Sequence, residues 1–168
     1  MMILKDSIEI AVPLNTLYAW LQALDENFVK WSPYHEGFTK ISGGFEVGDT
    51  IQFKEQVEGV EYDITGIIRL HEKTDQRFTL HFETLAGMGQ IYFIGKATEM
   101  GCRFTHIEKF GKPDTFCGRI FNWLLFNIIA KKKANKTLIL KDMQEDNRYL
   151  KQILETGIYP QRLPINAG

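Results

Sequence analysis

Two aspartates four residues apart, Asp142 and Asp146, have a spacing that suggests chemistry. When the segment from 139 to 155 is laid out as a helix at about 100° per residue, Asp146 falls near the middle of the apolar stripe. Asp142 falls between the directions of Tyr149 and Ile153. Both carboxylates are therefore expected to point inward, one helical turn apart.

A third acid, Glu55, shows the same inward pattern on a strand. Between residues 50 and 57 the side chains alternate, and Glu55 shares one face with Ile51, Phe53 and Val57. An ionised carboxylate that is buried without a partner is costly, so it normally neutralises, pairs with a cation or ligates a metal. The three inward acids thus predict a polar site inside an apolar core.

A divalent metal is one explanation for these acids. Residues four apart on a helix can chelate one ion, and a strand acid with a histidine could complete the set of ligands. His35, in the stretch WSPYH, is the natural histidine. Oxygen ligands with one imidazole suit zinc, manganese or iron(II), and the residue types do not choose among them.

An ordinary structural role stays open for the same residues. Asp142 and Asp146 would then bind lysines, arginines or water near the helix end, and Glu55 would lie at the rim of a cavity. His106 and Glu108 share a strand face with Phe104 and become further candidates if that face points inward. For His106 the favoured interpretation is a core histidine whose hydrogen bonds are satisfied.

The elements that must position these residues follow from patterning. Alternation predicts a first strand over Ser7 to Val12, and short helices are expected up to Leu24 and from Glu26 to Trp31. Six strands separated by turn signals are predicted between residues 37 and 110, and a helical region from 115 to about 154. This order predicts an α+β protein in which a curved antiparallel sheet of about seven strands wraps around a long C-terminal helix. We expect one domain over 1–168, with a core at about 5–157 and a surface tail at 158–168.

Three short motifs resemble parts of the pattern of a known family. The stretch from 28 to 157 resembles bacterial START-like (SRPBCC, polyketide cyclase-like) proteins related to the diacetylphloroglucinol and phloretin hydrolases, which implies the helix-grip fold. The family pattern has a Trp-x-Pro-x-His-like segment, a strand glutamate before a glycine, an apolar segment before the last helix, and His-x-x-x-Glu on that helix. The corresponding parts here are WSPYH, FKEQVEG and DMQEDNRYL.

The resemblance implies a metal site as well as a fold. In these hydrolases the histidine, the strand glutamate and the helix pair hold a zinc ion that helps to cleave a carbon–carbon bond of an aryl ketone. His35 and Glu55 match as they stand, Asp142 replaces the helix histidine, and Asp146 replaces the helix glutamate. The more anionic shell would make a bound zinc a weaker Lewis acid.

These residues are consistent with two functions. The first is a small-molecule binding protein whose apolar cavity takes an aromatic, polyketide-like or lipid ligand. The second is a metal-dependent hydrolase or cyclase that acts on an aromatic or polyketide-like substrate through His35, Glu55, Asp142 and Asp146. The residues expected to line the cavity are Trp31, Phe53, Ile64, Phe82, Phe93, Phe104 and Tyr149.

Charge and composition restrict the partners. A formal net charge of −1 and scattered basic residues argue against nucleic acid. The two cysteines have no metal or disulfide spacing, and the N-terminal sequence lacks a signal pattern, so a cytoplasmic setting is expected.

The apolar run 116–130, followed by three lysines, suggests contact with a membrane surface or a homodimer. Burial of this run at one end of the cavity is the favoured interpretation, because helices that are apolar on all sides are usually buried.

Overall fold

Seven strands form an antiparallel sheet in the computed structural model, which describes residues 1–57, 59–113, 115–124, 126–127 and 135–162. The strand order is β1-β7-β6-β5-β4-β3-β2. This arrangement confirms the predicted α+β class and curved sheet. The strands are β1 (Met2–Ile10), β2 (His35–Ser42), β3 (Thr50–Val57), β4 (Val60–Lys73), β5 (Arg77–Thr84), β6 (Gly89–Thr98) and β7 (Gly101–Phe110).

The first strand begins five residues earlier than the sequence pattern predicts, and it ends at Ile10, two residues before Val12. It pairs with β7 without a break, from Met2 opposite Phe110 to Ile10 opposite Cys102. The prediction of Ser7 to Val12 was wrong at both ends because pairing with β7, which the local sequence does not show, sets the length of β1.

In the part of the chain that the structure describes, the sheet is accompanied by the helices α1 (Leu14–Gln22), α2 (Leu24–Trp31), α3 (Phe116–Leu124) and α4 (Lys136–Thr156). The predicted helical region from 115 to 154 therefore contains two helices in the described part of the chain. The Asn135 side chain accepts hydrogen bonds from the amides of Thr137 and Leu138, which fixes the start of α4. Gly157 ends α4 in the left-handed conformation, at φ 71°, and donates its amide to the Ile153 carbonyl.

Helix α4 packs across the sheet with its apolar stripe inward. Ile139, Met143, Leu150 and Ile153 are buried, and so is Asp146 in the same stripe. The Asn147 side chain donates a hydrogen bond of 2.7 Å to Asp6 Oδ2 on β1, which ties the helix to the edge of the sheet. The position of Asp146 along the helix is thereby set by contacts outside the site.

Helix α3 departs from the expected burial. Phe116, Ile120, Trp123 and Leu124 are exposed, although the sequence favours burial on all sides. The helix contacts the rest of the chain through its opposite side, where Asn122 and Gly118 are buried. None of the described helices is long and apolar enough to cross a membrane. The three lysines at 131–133 lie outside the described residues.

Candidate functional site

His35 opens strand β2 directly after the loop that follows α2. Its Cα partner on β3 is Glu55, so the sheet register brings the two predicted site residues side by side. His35 Nε2 lies 3.5 Å from Glu55 Oε2 and 3.0 Å from Asp146 Oδ2 on α4. One imidazole thus joins an acid of the sheet to an acid of the last helix.

Both nitrogens of His35 have defined partners. Nδ1 lies 3.0 Å from the carbonyl oxygen of Phe28, and because a carbonyl only accepts, Nδ1 must carry a proton. The Phe28 ring stacks on the imidazole, with 3.9 Å between centroids and 6° between planes. Nε2 is therefore aimed at the carboxylates, as a donor when the ring is an imidazolium and as a lone pair when it is neutral.

Asp146 is buried, and its two oxygens have different surroundings. Oδ2 meets His35, whereas Oδ1 has no hydrogen-bond partner among the described residues. The indole Nε1 of Trp31 donates a hydrogen bond of 2.7 Å to the Asp146 backbone carbonyl, which ties α2 to α4 at this point. A buried carboxylate oxygen without a partner leaves one acceptor open to a ligand.

Burial and neighbouring charges shift the pKa values of the groups in this cluster, often in opposite directions. Burial alone would lower the pKa of His35, but the charge and hydrogen bond of Asp146, helped by Glu55, raise it to about 9. Burial raises the pKa of Glu55 to about 7, although His35 acts in the opposite direction. Burial and the neighbouring Asp146 raise the pKa of Asp142 to about 8. The site therefore holds protons that solvent-exposed acids would have lost.

His106 and Glu108 also face this interior. His106 is buried, and neither ring nitrogen makes a hydrogen bond within the described part of the chain. Its Nε2 lies 3.2 Å from Glu108 Oε1, in an orientation that gives no hydrogen bond. The expectation of a histidine with satisfied hydrogen bonds was wrong, because β7 places His106 against the ring of Phe93, 4.8 Å away between centroids.

An apolar cavity of about 40 Å³ lies between the sheet and α4, and the polar cluster forms part of its wall. Of the residues expected to line it, Trp31, Phe53, Phe82 and Phe93 do so. Phe104 lies in the buried core, and Tyr149 packs against that core, outside the cavity wall. His35, Glu55, Asp142 and Asp146 all line the cavity, as do His106 and Glu108.

A more open groove of about 440 Å³ follows along the same side of the sheet. Ile64, which was expected in the cavity, lines this groove instead. Three of its other residues lie two positions from residues that line the cavity on the same strands: Gly89 before Ile91, Thr84 after Phe82 and Phe110 after Glu108. Ile139, one turn before Met143 on α4, lines it too. The groove therefore lies beside the cavity.

Phe28 and Met143 contribute to the site although neither was among the residues predicted to form it. Phe28 provides both the stacking ring and the carbonyl that orients His35, and Met143 lines the cavity between the two aspartates. The position of Met143 in the apolar stripe of α4 could have indicated it. No signal in the sequence indicates that the Phe28 carbonyl would face an imidazole seven residues later.

Comparisons with known proteins bear on the fold. No protein-family model matches the sequence, and no curated protein matches it significantly. Solved structures match over most of the chain. The KanY protein has a TM-score of 0.67 at 12% identity, over 92% of this chain and 97% of that one. The fold is the helix grip.

Two further structures agree with this assignment. The polyketide cyclase-like protein Cgl2372 from Corynebacterium glutamicum has a TM-score of 0.59 at 19% identity, over 92% of each chain. The Aha1 dimer from Colwellia psychrerythraea has a TM-score of 0.59 at 16% identity, over 94% of this chain and 98% of that one. The structural neighbours are therefore SRPBCC-type proteins, and identities this low show a shared fold without a shared activity.

Proposed function

We propose that this protein binds a small aromatic or polyketide-like molecule between the sheet and α4. The supporting observation is an apolar cavity, walled by Trp31, Phe53 and Phe93, that ends on buried polar atoms without partners. An apolar pocket with a few convergent polar groups is the usual form of a small-molecule site.

The polar end of the cavity favours a particular kind of ligand. Carboxyl groups of Glu55, Glu108, Asp142 and Asp146 dominate it, and each offers oxygens that accept hydrogen bonds whether or not the group is ionised. A ligand that donates, such as a phenol, would satisfy the open Asp146 Oδ1. Hydroxylated aromatic compounds therefore fit better than carboxylic acids, whose charge would be repelled.

The volumes indicate how such a ligand would lie. About 40 Å³ in the inner cavity leaves room for only a small group, whereas the groove next to it offers about 440 Å³. A ligand of ordinary size, which needs roughly 300 Å³ or more, would place one polar ring inward and the remainder in the groove.

Binding can be tested with a pair of matched variants on β6. Ile91 lines the cavity, and Ile94, on the other face of the same strand, lines an outer surface groove. We expect Ile91→Trp to reduce binding of the apolar dye N-phenyl-1-naphthylamine about tenfold or more by filling the cavity, and Ile94→Trp to leave it unchanged. Fluorescence titration measures both.

One outcome of this titration would contradict the proposal. Equal dye affinity in the two variants would show that the cavity is not the binding site. Native mass spectrometry of gently purified wild-type protein adds an independent measurement, because a copurifying apolar molecule should appear as a defined mass shift that Ile91→Trp loses.

A metal-dependent hydrolase is the second candidate function, and the orientation of His35 favours it. Histidines that bind metals usually donate their other ring N–H to a carbonyl or carboxylate, as Nδ1 does here to Phe28. Nε2 then faces Glu55 and Asp146, two of the proposed metal ligands. Four acids and two histidines around one cavity form a donor set that suits a divalent cation.

In the structure these donors contact one another. Within the described residues, no three His, Cys, Asp or Glu side chains are arranged so that they could hold an ion. Metal binding would replace the hydrogen bond between His35 and Asp146, with Glu55 and Asp142 as further ligands. A divalent ion bound there would activate water and polarise a carbonyl. The chain's own contribution would be to orient His35 through Phe28 and to exclude water with the surrounding rings.

Metal content separates the two candidate functions. We expect protein purified without chelator to contain stoichiometric zinc, manganese or iron, and Asp146→Asn to lose it. Glu145→Gln, whose side chain points outward on the same helix, serves as the control. A wild-type protein that contains no metal by elemental mass spectrometry, and that gains no thermal stability from zinc or manganese, would exclude the hydrolase and leave the binding proposal standing.

A further inference from the structure

Helix α3 presents an ordered apolar side to solvent. Phe116, Ile120, Trp123 and Leu124 follow one another at intervals of four, three and one residues, which places them on one side of a helix. Their exposed fractions are 80%, 50%, 59% and 40%. Single exposed apolar residues are common, but four together on one helix form a patch that marks an interaction surface.

The rest of the chain holds α3 in this orientation. The Asn122 side chain accepts a hydrogen bond of 2.8 Å from the Lys112 amide and donates one of 2.9 Å to the Lys112 carbonyl. Gly118 lies so close to the Pro113 carbonyl that a Cβ there would overlap it. Because these two contacts fix the buried side of α3, the apolar patch faces outward.

The stretch of sequence that contains α3 differs in charge from the rest of the chain. Residues 115–141 include six lysines and arginines and no aspartate or glutamate, so this segment carries a charge of +6. The remaining residues carry 14 basic and 21 acidic side chains, a net charge of −7. An exposed apolar helix within a strongly basic segment is complementary to an anionic lipid surface.

We propose that α3 docks on the surface of an anionic membrane, with the patch of Phe116, Ile120, Trp123 and Leu124 inserted among the lipid headgroups. Tryptophan is favoured at this depth because its ring is both apolar and able to donate a hydrogen bond. A second copy of the chain is a poorer occupant, since pairing across the patch would bring two basic segments together. The proposal does not depend on the ligand or the metal.

Vesicle sedimentation tests the proposal. We expect the wild-type chain to sediment with vesicles of phosphatidylglycerol and phosphatidylcholine in equal parts, and to stay in the supernatant with phosphatidylcholine alone or at high salt. Trp123→Glu should lower the partition coefficient about tenfold or more. Met100→Glu makes a similar change at another exposed apolar residue, in the turn at the far end of β7, and should bind like wild type.

Circular dichroism of Trp123→Glu must match the wild-type spectrum, and Ile120→Glu provides a second variant if it does not. Quenching of tryptophan fluorescence by brominated lipid reports insertion directly and should disappear in Trp123→Phe. Three results would overturn the proposal. They are no sedimentation with anionic vesicles, equal sedimentation of Trp123→Glu, or a dimer in lipid-free buffer that Trp123→Glu dissociates.

Discussion

Two neighbouring tryptophans, Trp31 in the core and the partly buried Trp20, differ at the residue scale in whether the indole nitrogen has a partner. Trp31 Nε1 donates to the Asp146 carbonyl, whereas the buried Nε1 of Trp20 has no partner in the described residues. We expect Trp31→Phe to lower the free energy of unfolding by about 1–3 kcal/mol, because it removes a buried hydrogen bond between α2 and α4. Trp20→Phe removes an unsatisfied donor and should cost less. Urea unfolding of both variants measures the difference, and equal losses would contradict this explanation.

The meeting of Glu55, Asp146 and His35 was accessible from the sequence, because the two acids lie on apolar faces, an inward acid requires a partner, and WSPYH offers a histidine. The contacts that orient them were not. Phe28 stacks on His35, and its backbone carbonyl accepts a hydrogen bond from Nδ1 of the imidazole; neither contact leaves a pattern in residue types. Periodicity shows which way a side chain points, whereas tertiary placement decides what it meets.

At the scale of elements, the pairing of β5 with β6 brings Gly95 into close contact with a ring on the neighbouring strand. Gly95 is opposite Phe78 in the pairing of β5 with β6, and a Cβ at Gly95 would overlap the Phe78 ring. We expect Gly95→Ala to destabilise the protein by about 1–3 kcal/mol, since the ring lies over the glycine and must move.

Gly37→Ala is the matched control for this substitution, because a Cβ at Gly37 meets nothing within 4 Å. Thermal unfolding should show a loss only for Gly95→Ala. A similar change in both variants would mean that backbone freedom, and not the Phe78 contact, determines the effect.

The elements themselves were largely predictable from turn signals and periodicity, which placed all six strands between residues 37 and 110. The predictions were wrong where contacts with other parts of the chain decide the length or the orientation of an element. Pairing with β7 lengthened β1 at its start, and two local contacts turned the apolar side of α3 outward. A helix that is apolar on nearly every side does not show in its sequence which side will dock.

The buried cluster should give the whole molecule an unusual dependence of stability on pH. The pKa of His35 rises from 6.5 to about 9 on folding, so its stabilising contribution is complete below pH 6.5 and is lost as pH rises through 9. The pKa of Glu55 rises from 4.5 to about 7, and that of Asp142 rises from 3.8 to about 8. At pH values between the lower and the higher pKa of each group, the folded state holds a proton that the unfolded state has lost. All three groups therefore make metal-free protein less stable as pH rises from about 5 to 9.

Thermal unfolding in chelator at pH 5.5 and pH 8.5 measures this dependence. We expect the Tm to be higher in acid by roughly 5 °C or more, and Glu55→Gln to reduce the difference. Glu72→Gln, at an exposed acid on β4, should leave it unchanged. A Tm that is level or increases with pH in chelator would contradict the assignment. Bound metal should weaken or reverse the dependence, because ligands release protons when they bind an ion.

The groove beside the cavity has Phe126 in its wall, two residues beyond the end of α3. The groove therefore reaches the residues that follow the helix that we propose to rest on lipid. An apolar molecule dissolved in the bilayer could then move from the acyl chains to the protein without crossing bulk water. Its apolar surface would not be exposed to water, which is the costly step when such a compound leaves a membrane. Loading would then be governed by the concentration of the molecule in the membrane and not by its aqueous solubility.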